Sequence, residues 1–163
     1  MKKSFLIALA ALLVPMAANA QTATASALLS AMPREDLTIK DADGLSHVIH
    51  VEVALNEKNQ ADGLMGRKEM ARDAGMLFFF GDEQPRFFWM KDTLIPLDML
   101  FIRKDGTISH IHAGARPLDE SSIASEGPVT AVLELNGGAA AGMGIKEGDK
   151  VLDKDYFKNQ SAP

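Results

Sequence analysis

One stretch of the chain, residues 86–98, gathers most of the side chains that could do chemistry. It holds the only tryptophan, Trp89, and it sets Lys91, Asp92 and Asp98 among apolar residues within a few positions. A surface loop rarely needs so much aromatic bulk, and a plain core strand rarely carries three charges. The stretch therefore predicts either the wall of a binding pocket or a polar seam in the core.

Asp98 is the charged residue whose surroundings matter most, because its predicted strand places it on one face with Leu100 and Ile102. An unpaired buried carboxylate is costly, so we expect a cationic partner, and Lys91 and Arg67 are the candidates. The favoured interpretation is an ion pair that locks a loop to the sheet. A ligand cleft lined by these groups and general acid–base catalysis are the two alternatives.

The same side chains, taken as a cleft, predict the non-catalytic binding of a small molecule or a cell-envelope component. Aromatic side chains would supply apolar area and stacking, and a lysine could pair with an anionic group. We expect no catalytic residue, no metal and no cofactor. The predicted ligand-binding residues are Arg67, Phe88, Trp89, Met90, Lys91, Thr93 and Asp98.

Two other functions stay open at the level of sequence. One is an envelope-polymer hydrolase or lyase that uses Asp98 or Asp92 with Lys91, which requires a carboxylate with a shifted pKa in an open cleft. The other is a protein-interaction accessory domain in which Trp89 is an exposed anchor instead of a pocket wall. Solvent access to Asp98 separates the first alternative from simple binding.

Other residue patterns argue against several kinds of site. His110 and His112 lie two apart on a predicted strand, but no third ligand is fixed by spacing, and we interpret them as a solvated strand face. No GxSxG sequence precedes a helix, and a chain without cysteine excludes thiol catalysis and thiolate metal sites. Acidic residues outnumber basic ones, 22 to 17, which disfavours nucleic-acid partners.

The elements that must position these residues are short strands separated by turns. Residues 104–106 predict a hairpin turn, residues 81–85 a second turn, and residues 116–128 a polar loop. The predicted strands follow from alternating or continuous apolar runs. They cover residues 37–40, 47–55, 76–80, 87–90, 97–102, 107–113, 129–135 and 151–152.

Two short helices are predicted between the strands. Asn56 is the expected cap of a helix over residues 57–65, and Asn136 is the expected cap of a second helix that ends near Met143. A regular alternation of strands and helices is missing, which argues against a doubly wound parallel sheet. The predicted fold class is mainly β, bordering on α+β: a small antiparallel β-barrel or sandwich with two short helices.

The N-terminus predicts export. Two lysines precede an apolar run, and Ala18-Asn19-Ala20 is a small-x-small motif, so residues 1–20 predict a secretory signal peptide cleaved after Ala20. Residues 21–35 predict a flexible linker. We therefore expect a periplasmic protein with no integral membrane segment after cleavage.

Several motifs, in order, resemble the DUF192 family, a domain of unknown function. The resemblance covers residues 37 to 153 and implies a compact β-rich fold without an established activity. We assign the domain to residues 36–155, followed by a polar tail over residues 156–163. The family usually has Asn where this chain has Asp92, and a carboxylate cannot donate the hydrogen bond of an amide. The motifs are Gly63-Leu64-Met65-Gly66-Arg67, Gly75-Met76-Leu77-Phe78, Phe88 through Asp98, Val132-Leu133-Glu134-Leu135 and Gly148-Asp149.

Overall fold

The computed structural model describes residues 32–153 and 155–157, so the predicted signal peptide and most of the predicted linker lie outside the described residues. Within these ranges the chain forms seven strands and two short helices. In chain order they are β1 (Arg34–Lys40), β2 (Ser46–Ala54), α1 (Glu57–Asp62), β3 (Ala74–Phe88), β4 (Leu97–Ile102), β5 (Ile108–Ala115), β6 (Ile123–Asn136), α2 (Ala139–Met143) and β7 (Lys150–Leu152). β1 begins inside the interval that the sequence assigns to the linker.

The strands form one curled sheet, a half-barrel, in the order β5-β4-β6-β3-β2-β1-β7. All neighbouring strands are antiparallel except β2 and β3, which are parallel and connected through α1. The outer strands approach each other where Thr107 forms an isolated bridge with Lys150. The prediction of a mainly β fold with two short helices is confirmed.

β3, β4 and β6 bury both of their faces near the centre of the sheet, which explains their continuous apolar runs. Leu77, Leu100 and Leu133 belong to one hydrophobic cluster. Phe78 and Met99 belong to a second cluster on the opposite face. The second face is the one that carries the site described below.

β3 and β6 are longer than predicted and pair with each other along most of their length. Four residues of β3, Phe80 to Glu83, oppose only Thr130 of β6, so the strand bulges where the sequence predicts a turn at 81–85 and then continues. Residues 123–128, predicted as loop, are the first part of β6 and pair with the far end of β3. Both predictions are wrong for the same reason. A bulge inside a long strand contains the same glycine and polar residues as a turn, so the local sequence does not distinguish them.

The two helices are shorter than predicted. Asn56 caps α1 as expected, accepting a hydrogen bond of 2.8 Å from the Asn59 backbone, but α1 ends at Asp62, where Gly63 takes a positive φ of 47°. Asn136 does not cap α2; its side-chain amide donates to the carbonyl oxygen of Ala71 instead. The hairpin turn between β4 and β5 is confirmed.

Candidate functional site

The turn after β3 holds residues 86–98, which we call the central segment, against the turn after α1 and against residues 118–119. The Thr93 backbone donates to the Met90 carbonyl over 3.1 Å, and Asp92 has a left-handed φ of 52°. The Asp92 carbonyl accepts from the Gly66 backbone at 2.8 Å. Asp and Asn tolerate the left-handed conformation better than most residues. The residue type at position 92 is therefore explained by backbone conformation.

Asp98 is fully buried and has no cationic partner among the described residues, which include Lys91 and Arg67, so the predicted ion pair with either of them is wrong. Its carboxylate accepts hydrogen bonds from the backbone N–H groups of Gly114, Gly138 and Ala140, at 2.8 to 3.0 Å. Three backbone donors satisfy a buried carboxylate without a counter-charge. These hydrogen bonds hold the start of α2 against the end of β5.

The two candidate cations lie elsewhere. Arg67 forms an ion pair with Glu52 of β2, and this guanidinium holds the pKa of the Glu52 carboxyl below its usual range. Arg67 lines a separate, charged hollow with Arg34, Asp36 and other residues near β1. Lys91 places its ammonium 5.2 Å from the centroid of the Trp89 ring.

A cavity of about 450 Å³ opens between α1, the turn that follows it, and the bent strand β3. Its wall includes Trp89, which is 48% exposed, while Phe88 and Thr93 complete the side formed by the central segment. Four of the predicted ligand residues do not line the cavity. Met90 and Asp98 are buried in the core, and Lys91 and Arg67 lie outside the lining. The remaining lining residues are Gln60, Ala61, Asp62, Gly63, Leu64, Met65, Phe78, Phe80, Pro85, Arg86, Phe87 and Glu134.

Glu134 is the buried acid of this cavity. The residue is only 4% exposed, and its carboxyl group has no hydrogen bond or ion pair with any other described residue. In the sheet it lies between Met76 of β3 and Met99 of β4. Burial raises the pKa of the Glu134 carboxyl to about 8. We refer to this space as the Glu134 cavity.

Sequence reasoning missed Glu134 as a site residue, although its motif was noted. A signal was present: Glu134 is the single acid in the apolar run from Ala131 to Leu135. An acid in a strand that is buried on both faces needs a partner or a function.

Arg86 also lines the Glu134 cavity. Its guanidinium is 4.0 Å from the centroid of the Phe80 ring and forms an ion pair with Asp82. Its backbone N–H donates to the buried Ser125 hydroxyl at 2.9 Å, which holds the second irregularity of β3 in place. The Nε atom of Arg86 is buried and has no hydrogen-bond acceptor.

The histidines are engaged in local contacts. His110 stacks on Phe101, with ring centroids 5.7 Å apart, and its Nδ1 lies 3.0 Å from a Glu147 carboxylate oxygen. His50 lies on the exposed side of β2, 2.6 Å from Asp36, whose carboxylate raises the pKa of the imidazole. Neither histidine lines the Glu134 cavity.

Comparison with known proteins places the chain among proteins of unassigned function. The DUF192 family model, described as "Uncharacterized ACR", matches residues 38–152. No curated protein matches the chain. Among the described residues, no helix is long and apolar enough to span a bilayer.

Two crystal structures share the fold. One, from Sinorhizobium meliloti 1021, is described as a "putative transcription regulator"; it is 44% identical, has a TM-score of 0.74, and the match covers 75% of this chain and 95% of that one. The other, from Novosphingobium aromaticivorans DSM 12444, is described as a protein of unknown function. It is 41% identical with a TM-score of 0.73, and the match covers 77% of this chain and 89% of that one.

Proposed function

This chain belongs to the DUF192 family, whose description assigns no activity, and we propose that it binds a small, mostly apolar molecule in the Glu134 cavity without catalysing a reaction. The observation that carries the proposal is a buried carboxyl group without a partner in a cavity with aromatic walls. Pockets of a few hundred Å³ with apolar walls and a few convergent polar groups are typical of small-molecule sites.

The aromatic walls supply the apolar contact area. Phe78 and Phe88 pack edge to face with ring centroids 5.2 Å apart, so the rings are held in place before a ligand arrives. Trp89 closes the rim from the side of the central segment. A preformed wall lowers the ordering cost of binding.

The hydrolase or lyase alternative loses its principal candidate. Asp98 has no solvent exposure and all its hydrogen bonds are to backbone groups, so it cannot meet a polymer substrate. Asp92 and Lys91 do not line the Glu134 cavity. The accessory-domain alternative relies on Trp89 as an exposed anchor; this side chain is 48% exposed and also lines the cavity, so its position is compatible with both functions.

The test of binding compares the wild type with a variant in which a large side chain fills the Glu134 cavity. We expect Ala61→Trp, which adds an indole from α1 into the cavity, to abolish binding of acetylnaphthalene measured by isothermal titration calorimetry. Lys58→Trp is the matched control, because Lys58 is exposed on the same helix and does not line the cavity. Equal binding by both variants and the wild type would place the ligand site elsewhere.

We place this binding in the periplasm, on the strength of the N-terminal sequence pattern alone. The description of the Sinorhizobium relative as a regulator does not lead us to propose DNA binding here. The chain has a formal net charge of −5, and a duplex-binding surface needs clustered positive charge.

A further inference from the structure

We propose that the ligand of the Glu134 cavity carries a carbonyl-type oxygen, which accepts a hydrogen bond from the carboxyl group of Glu134. The inference rests on the proposed binding function and names the class of ligand: an apolar, ring-sized body with a hydrogen-bond acceptor. It follows from the identity and the isolation of the polar groups that the cavity contains.

The first step is that Glu134 needs a partner that the protein does not provide. The residue is 4% exposed and lines the cavity, and its carboxyl group makes no hydrogen bond to any described residue. A methionine flanks it on each neighbouring strand. A buried polar group without a partner costs stability, so a bound molecule is the natural source of the missing contact.

The second step concerns the charges around Glu134. Along its row of the sheet the titratable groups that follow on either side are the Glu52–Arg67 pair and His112, each two strands away, or roughly 10 Å. The other charged groups of the cavity and its rim are already engaged or outside it. They are Asp62, paired with Lys58; Arg86, paired with Asp82; Lys91, over Trp89; and Asp92, in the turn.

Within the part of the chain that the structure describes, no cation pairs with a carboxylate at this position, and burial raises the pKa of Glu134 to about 8. Near neutral pH the group is mostly a neutral carboxylic acid, which has an O–H donor. A neutral acid in an apolar site can donate a strong hydrogen bond to a ligand oxygen.

The third step concerns the cations of the lining and the rim, which already contact aromatic rings: the Arg86 guanidinium lies over Phe80 and the Lys91 ammonium over Trp89. An organic ammonium ion fits less well, because these two ring faces are already occupied.

Three probes of one shape test the ligand class: acetylnaphthalene, ethylnaphthalene and protonated naphthylethylamine. They share a ring body and differ only in a carbonyl, a methylene or an ammonium group. At about pH 6.5 we expect acetylnaphthalene to bind about fivefold more tightly than ethylnaphthalene, the worth of one hydrogen bond, and the ammonium probe to bind most weakly. As pH rises through about 8, Glu134 loses its proton and the preference for the acetyl probe should disappear.

Two variants test separately whether Glu134 must donate a hydrogen bond and whether its loss of a proton causes the pH dependence. Glu134→Gln keeps an N–H donor at the same place, so we expect the preference for the acetyl probe to persist and to become independent of pH between about 6 and about 10. Glu134→Leu removes the donor and should bind the acetyl and ethyl probes equally. Urea denaturation of each variant shows that it is folded under the conditions of the assay.

The outcomes distinguish this inference from the function on which it rests. If the acetyl and ethyl probes bind the wild type equally, or the ammonium probe binds best and tightens with pH, the inference is overturned and the cavity remains a binding site. If none of the three probes binds the wild type, the proposed function is overturned and the inference with it.

Discussion

At the level of single residues, the proposed binding depends on Glu134. The residue is 4% exposed, its carboxyl forms no ion pair with a described cation, and burial raises the pKa of that carboxyl to about 8. Because the folded pKa lies above the ordinary value of 4.5, the folded state binds a proton that the unfolded state has released. The contribution of Glu134 to stability is complete below about pH 4.5 and is lost as pH rises through about 8.

Glu134→Gln removes this pH dependence while preserving the shape of the side chain. We expect the free energy of unfolding of the wild type, relative to that of the variant, to fall by roughly 2–4 kcal/mol between about pH 5 and about pH 8.5. Urea denaturation of both proteins over a series of pH values measures the difference. Parallel pH profiles would show that Glu134 titrates normally in the folded protein.

Asp98 has the opposite character, since its carboxylate is fully satisfied by three backbone donors. Asp98→Asn replaces one acceptor oxygen with an NH₂ group that faces N–H donors. We expect a loss of roughly 2–4 kcal/mol in the free energy of unfolding. Asp92→Asn is the matched control, because its left-handed φ suits Asn and the side chain is exposed; it should change stability by less than about 0.5 kcal/mol. Equal effects of the two changes would contradict the role assigned to Asp98.

Among the elements, the pairing of β3 with β6 positions the cavity. Gly75 lets the strands approach, since a Cβ atom there would lie 2.7 Å from the Glu134 carbonyl oxygen and 3.0 Å from the Leu135 side chain. We expect Gly75→Ala to destabilise the fold by about 1–3 kcal/mol through overpacking.

Gly142→Ala is the control for this prediction. Gly142 lies in α2 with nothing within 4 Å of an added Cβ, so alanine should stabilise the helix by about 0.5–1 kcal/mol. Chemical denaturation of the two variants gives effects of opposite sign if the strand contact is as close as described. A neutral Gly75→Ala would show that β3 can shift away from β6.

The elements also show what the sequence can predict. The cores of β2, β3, β4 and β6 follow from apolar runs and alternation, and the β4–β5 hairpin follows from Asp105-Gly106. The length of β3 and β6 does not follow, because bulges are encoded by the same glycine and polar residues that make turns. A bulge is distinguished from a turn only by the partner strand on which the chain continues to pair, and that strand is distant in sequence.

The site was predictable in part for a similar reason. Aromatic residues clustered in the central segment indicate a wall, and Phe88 and Trp89 do line the cavity. The partners of Asp98 are backbone groups of distant segments, and side-chain identity in the sequence cannot reveal them. Glu134 comes from a strand far along the chain, and only the folded sheet brings it to the same space.

At the scale of the whole molecule, the prediction concerns export. If the N-terminal segment is a signal peptide, the full-length protein expressed in a Gram-negative host should be recovered from the periplasm with Gln21 as its first residue, as determined by intact mass. Replacing both Ala18 and Ala20 with leucine should block cleavage and leave the longer form. Recovery of the uncleaved wild type in the cytoplasm would contradict the prediction.

The most direct test of the central claim is a carbon NMR titration of the Glu134 side-chain carboxyl, assigned with the Glu134→Gln variant, in the free protein and with saturating acetylnaphthalene. The predicted midpoint is about pH 8 in the free protein. It should be higher with the probe, because a ligand that accepts from the acid stabilises its protonated form. A midpoint near the ordinary value of 4.5, unchanged by the probe, would contradict the account.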